Sequence, residues 1–124
     1  MSTESDLKAF SIVAPVIDPE ITLYIGDCGG WFRRLPGHGY HIMPEDALAI
    51  RTQQAMNWLT AWCKANECTW QMDCNPHTGI CTIDIYEIHD WDHHMPTVSG
   101  QSPAEALAAR ILTPNQERTN AYGG

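Results

Sequence analysis

A chain of 124 residues with 44 % hydrophobic and 18 % charged residues can build one domain around one modest core. The formal net charge of −8 argues against direct DNA or RNA binding, because such a surface repels phosphates, and favours a basic protein partner. No apolar run approaches the ~20 residues a membrane span needs, so no membrane association is expected.

Residues 1–20 are polar and then broken by prolines in "APVIDPE", which reads as an arm or loop. The opening "MSTESDLKAF" has neither the basic nor the apolar region of a signal peptide. A strand follows at "ITLYIG", Ile21 to Gly26. "GDCGG" interrupts it, "WFRRL" suits a short strand, and "PGHGY" suits a turn. A long helix starts at Pro44, where proline fits the first turn and Glu45 and Asp46 complement the dipole. Its apolar stripe is Leu48, Ala55, Leu59 and Trp62, widened by Met56 and Cys63, and it ends near Lys64 to Asn66.

"CTWQMDC" and "ICTIDIYEI" alternate apolar and polar residues on either side of the turn "NPHTG", which predicts a hairpin. Cys68, Trp70, Met72, Cys74, Cys81, Ile83 and Ile85 fall on one face. Thr69, Gln71, Asp73, Thr82, Asp84 and Tyr86 fall on the other. After a histidine-rich loop, Ser102 as N-cap, Pro103 at the first helical position and Glu105 as capping-box partner open a short helix. Leu107, Ala108, Ile111 and Leu112 form its buried stripe, Pro114 stops it, and 113–124 read as a loose tail. The expected architecture is a single α+β domain over residues 1–124. In it, a small antiparallel sheet carries the long helix and the C-terminal helix on one face, as a two-layer sandwich.

This order of elements, closed by "SPAEALAARIL", resembles the phage ABA sandwich domain over Pro44 to Leu112. The same closing stretch is similar to HicB-like antitoxins, whose strand leads through "GxSxxEAL" into a helix. The first resemblance implies a phage or mobile-element origin and carries over no functional residues.

The chemistry-bearing stretch is "YEIHDWDHHMP", with His89, His93, His94, Asp90 and Asp92 around Trp91. Imidazole and carboxylate suit zinc, manganese or iron, but neighbours in an extended segment point to opposite faces and would need help from Asp84 or His77. The alternative is an exposed polar connection in which Trp91 either anchors into the core or contacts a partner. The five cysteines, Cys28, Cys63, Cys68, Cys74 and Cys81, are odd in number and lack a CxxC spacing. With no export signal they read as reduced thiols in the cytoplasm. Cys28 reads as exposed, and the others as small hydrophobes in apolar stripes. Arg33 and Arg34 can hold a phosphate or sit in water.

No Lys or Arg lies between Lys64 and Arg110, while Glu67, Asp73, Asp84, Glu87, Asp90, Asp92 and Glu105 do. The expected function is therefore a non-enzymatic phage or mobile-element binding protein with no metal or cofactor. It would inhibit a host protein, such as a defence component with a basic surface. The expected partner surface is Asp73, Asp84, Tyr86, Asp90, Trp91 and Asp92. Two alternatives stand beside it. One is a sponge for a nucleotide signal, held by Trp and Arg side chains between subunits of a homo-oligomer. The other is a small metal-dependent hydrolase using His89, Asp90, His93 and His94.

Overall fold

A computed structural model describes residues 2–112, without the side chains of 91–94. The chain runs α1 (Thr3–Ser11), α2 (Ala14–Ile17), β1 (Leu23–Ile25), β2 (Trp31–Leu35), β3 (His38–Ile42), α3 (Pro44–Ala65), β4 (Cys68–Cys74), β5 (Cys81–Glu87), β6 (Asp90–His94), β7 (Val98–Gly100) and α4 (Pro103–Leu112). This is a mixed α+β fold with two small antiparallel sheets, a long helix and a short C-terminal helix.

Residues 3–17, read from the sequence as an arm or loop, are helical instead. Ser2 accepts from the Ser5 amide at 3.1 Å and caps α1, with Glu4 and Asp6 in the first turn and Lys8 in the last. Leu7, Phe10, Val13 and Ile17 then fall on a buried face. The prolines that suggested a loop only shape its end, since Pro15 sits in the first turn of α2, where a missing amide costs nothing. The tail 113–124 lies outside the described residues.

The 22-residue helix α3 is the spine, about 33 Å long at 1.5 Å per residue. Its first half packs Ala47, Leu48 and Ile50 against Leu23, Trp31 and Ile42 of the sheet β1-β2-β3. Its second half carries Ala55, Leu59 and Cys63 into the main core, with Cys68, Cys81, Ile83 and Ile85 of the other sheet and Leu107 and Ile111 of α4. Trp58, Trp62 and Trp70 pack half-buried around that core. The Trp70 indole donates to Thr60 Oγ1 at 3.0 Å. At the helix end the Asn66 side chain donates to the Trp62 carbonyl at 2.8 Å. Glu67, at φ 56°, takes the left-handed residue that follows.

The hairpin pairs Cys68↔Glu87 through Cys74↔Cys81, the register set by its apolar alternation. Its far edge is shared. β7 pairs with the first half of β5 and β6 with its end, across a bulge at Tyr86/Glu87. The histidine-rich segment, expected to be a loop, is thus strand β6. Backbone pairing with Tyr86 and Glu87 overrides its polar composition. Gly100 ends β7 where a Cβ would come within 2.5 Å of the Ala106 amide nitrogen. The sheet and the first turn of α4 can touch only because that side chain is absent. Ser102 caps α4, accepting from the Glu105 amide at 3.2 Å and donating to Asp6 of α1 at 2.8 Å.

Candidate functional site

The polar face of the hairpin gathers Asp73, Asp84 and Tyr86 of the sequence candidates, and Asp90 lies on the neighbouring strand β6. Thr69 faces Tyr86, Gln71 faces Asp84, and Asp73 faces Thr82 across the β4–β5 ladder. Asp73 is exposed and accepts from Gln71 Nε2 at 3.3 Å. Asp90 is exposed at the start of β6, opposite Glu87. Tyr86 is half-buried. The side chains of Trp91 and Asp92, like those of His93 and His94, lie outside the described residues. Their backbone belongs to β6, beside Tyr86.

Asp84 differs from its neighbours. It is half-buried and accepts a hydrogen bond from the Thr97 hydroxyl in the β6–β7 connection. Its charge also acts on Arg110, a fully buried cation of α4 that donates to the Pro96 carbonyl at 2.7 Å. Burial holds the Arg110 guanidinium below its ordinary value, while Asp84 and then Cys63 pull it back up. Asp84 therefore offsets a buried charge as well as adding to the acidic face. No pattern in "AEALAARIL" marks Arg110 as buried, because its partners lie on other elements.

A second polar centre escaped the sequence reading. Asp18, 6 % exposed, accepts from the amides of Thr22 and Leu23 at 2.9 and 3.0 Å and from the Thr22 hydroxyl at 2.8 Å. Arg51, in the middle of the α3 stripe, donates to it at 3.0 Å and to the Leu23 carbonyl at 3.2 Å. Burial pushes the Asp18 carboxyl up, but the hydrogen bonds from Thr22, Leu23 and Arg51 outweigh it and hold the group below its ordinary value. Both Asp18 oxygens and both terminal Arg51 nitrogens are matched, so the pair reads as a lock between β1 and α3.

The cysteines separate into three kinds. Cys74 and Cys81, expected to be reduced, form a disulfide at the end of the hairpin, where their Cα atoms are 4.0 Å apart in register. Cys74 is also exposed, not part of an apolar stripe. Directly opposed residues are the ones a short cross-strand bridge can join. Cys63 and Cys68 are buried and outside the disulfide. Burial pushes the Cys63 thiol up to about 12, with Cys68 adding to the rise and Arg110 opposing it, which makes it a poor nucleophile. Cys28 is free and exposed. In "GDCGG" the Gly26 and Gly29 amides donate to the carbonyls of Gly30 and Gly26 at 2.8 and 2.9 Å. The turn uses these amides itself, so they do not cradle an anion.

The outer face of the other sheet carries a different surface. Tyr24, Phe32 and His41 form one row across its three strands. Tyr24 and Phe32 stack with centroids 5.7 Å apart at 16°, and His41 meets Phe32 edge-on at 5.3 Å. Arg34 lies 5.1 Å above the Tyr24 ring. Among the described residues no helix is long and apolar enough to cross a membrane, and no three His, Cys, Asp or Glu side chains are gathered as a metal site. No protein-family model, curated protein or solved structure matches the chain.

Proposed function

We propose that the protein is a non-enzymatic binding protein that docks a basic protein surface on the outer face of its hairpin sheet. One observation carries this reading. The cation-free stretch between Lys64 and Arg110 carries Asp73, exposed on that face near half-buried Asp84 and Tyr86, and Asp90, exposed on the neighbouring strand β6. Carboxylates spread over a rigid ladder steer a basic partner without ordering any loop. A role as an inhibitor of a host defence protein follows from the phage resemblance and belongs to the same proposal.

The test is capture from a bacterial lysate at low salt, using the parent and an Asp73→Lys/Asp90→Lys variant. The expected outcome is one basic protein enriched by the parent and lost by the variant, with a salt-dependent on-rate. Equal capture by both would assign the acidic face to solubility alone. One zinc or manganese per purified chain, lost in His93→Ala/His94→Ala, would instead establish the metal-dependent reading.

A further inference from the structure

We propose a second binding site on the outer face of the β1–β2–β3 sheet, where Tyr24, Phe32 and Arg34 hold a nucleoside phosphate. The observation is the way the rings lie. Side chains on a sheet ordinarily stand up from it, but these rest across it, on glycines. A Cβ on Gly39 would collide with the Tyr24 hydroxyl, two strands away from the Tyr24 backbone. A Cβ on Gly26 would come within 2.5 Å of the Phe32 ring, and one on Gly30 within 2.9 Å of the His41 ring. Three glycines thus seat three rings, and two of the rings stack side by side at 16°. The core does not require this. The opposite face of the same strands supplies Leu23, Trp31 and Ile42 to α3, while Tyr24 and Phe32 stay half-exposed and His41 exposed. Two near-parallel, half-exposed rings, Tyr24 and Phe32, are a stacking surface for a planar base.

Charge selects the class of ligand. From Cys28 to Pro44 the chain carries Arg33, Arg34, His38 and His41 and no carboxylate, the reverse of the hairpin sheet. Arg34 stands over the end of the aromatic row, exposed, and also lines a hollow of about 600 Å³ with Thr22, Pro36, Gly37, His38 and Glu20. Tyr24 and Phe32 lie outside its lining, so the hollow would take only the phosphate end of a ligand whose base rests on the rings. A base on Tyr24 and Phe32 would place its phosphate within reach of Arg34, with His38 beside it and Glu20 as the opposing charge at the rim. A net charge of −8 repels a long polyanion far more than a mononucleotide, which selects the small ligand over a nucleic-acid strand. The inference is independent of the acidic face and survives its failure.

The experiment is calorimetric titration of the full chain with AMP, GMP, inorganic phosphate and a short oligothymidylate, with amide chemical-shift mapping. The proposal expects AMP or GMP to bind with a Kd below about 1 mM, inorganic phosphate to bind more weakly, and shifts at Tyr24, Phe32 and His41 but not in β4 or β5. Phe32→Leu keeps apolar bulk without a π-face and should weaken binding on the order of tenfold, the effect of one lost base stack. Arg34→Gln, an exposed change that does not threaten folding, should do the same. Gly39→Ala should weaken it by displacing the Tyr24 ring. No nucleotide binding, equal binding by Arg34→Gln, tighter binding of the oligothymidylate than of either nucleotide, or self-association abolished by Phe32→Leu would each overturn the proposal.

Discussion

Two buried arginines show why single residues decide where this fold is vulnerable. Arg51 and Asp18 are each under 10 % exposed and bonded at 3.0 Å. Removing one partner leaves an uncompensated charge, so Asp18→Asn or Arg51→Met should cost roughly 3–5 kcal/mol in a urea melt. The double replacement by apolar residues should cost much less. The sign of the pH dependence follows from the direction of the Asp18 shift. Its folded value lies below the ordinary 3.8, so its contribution is complete above that pH and disappears as the pH falls below it. An Asp18→Asn variant should therefore show a shallower acid-limb slope in stability measured between about pH 5 and 2, by the share that Asp18 contributes. Thiol labelling at pH 8 offers a separate check. One thiol, Cys28, should react rapidly, and Cys63 and Cys68 only after unfolding, because burial pushes Cys63 up to about 12.

At the scale of elements, the turn between β7 and α4 brings backbone against backbone. A Cβ on Gly100 would lie 2.5 Å from the Ala106 nitrogen and 2.8 Å from the Glu105 carbonyl carbon. Both are backbone atoms and cannot swing aside. Gly100→Ala should thus lower stability by at least about 1–3 kcal/mol, read as a drop in Tm. The hairpin has a covalent clamp at its turn end. Reducing Cys74–Cys81, a bridge across a sequence separation of 7, should remove about 2–3 kcal/mol by the loop-entropy estimate while leaving the register intact. A larger loss, or altered far-UV dichroism, would mean that the bridge and not the apolar alternation holds β4 to β5.

For the whole molecule, charge is divided between the sheets. The hairpin sheet is acidic, and the sheet under the first half of α3 carries arginine, histidine and flat aromatic rings. Like charges on adjacent strands slightly oppose folding. Asp73→Lys and Asp90→Lys should therefore leave the Tm unchanged or slightly raised. Asp84→Lys should instead destabilise by about 1–3 kcal/mol, since it removes the Thr97 hydrogen bond and places a cation near buried Arg110. A thermal-melt comparison of the three variants separates the exposed carboxylates from the half-buried one that serves the fold.

The helix from Pro44, the β4–β5 register and the capped helix from Pro103 were legible in the sequence, because each is written in a local code of periodicity, cap and turn residues. The first helix was also written there, in Ser2, Glu4, Asp6, Leu7 and Phe10, but the prolines after it drew the reading toward a loop. Local pattern could not reveal that "DWDHH" is a strand, that Arg51 and Arg110 are buried, that Cys74 meets Cys81 as a disulfide, or that Tyr24, Phe32 and His41 share a row. A polar segment becomes a strand only when a neighbour offers its edge, and a cation can be buried only where distant groups supply its hydrogen bonds. The sequence determined which segments could bury an apolar face. Tertiary packing decided which polar residues went in with them, because the cost of burying a charge depends on partners that are remote along the chain.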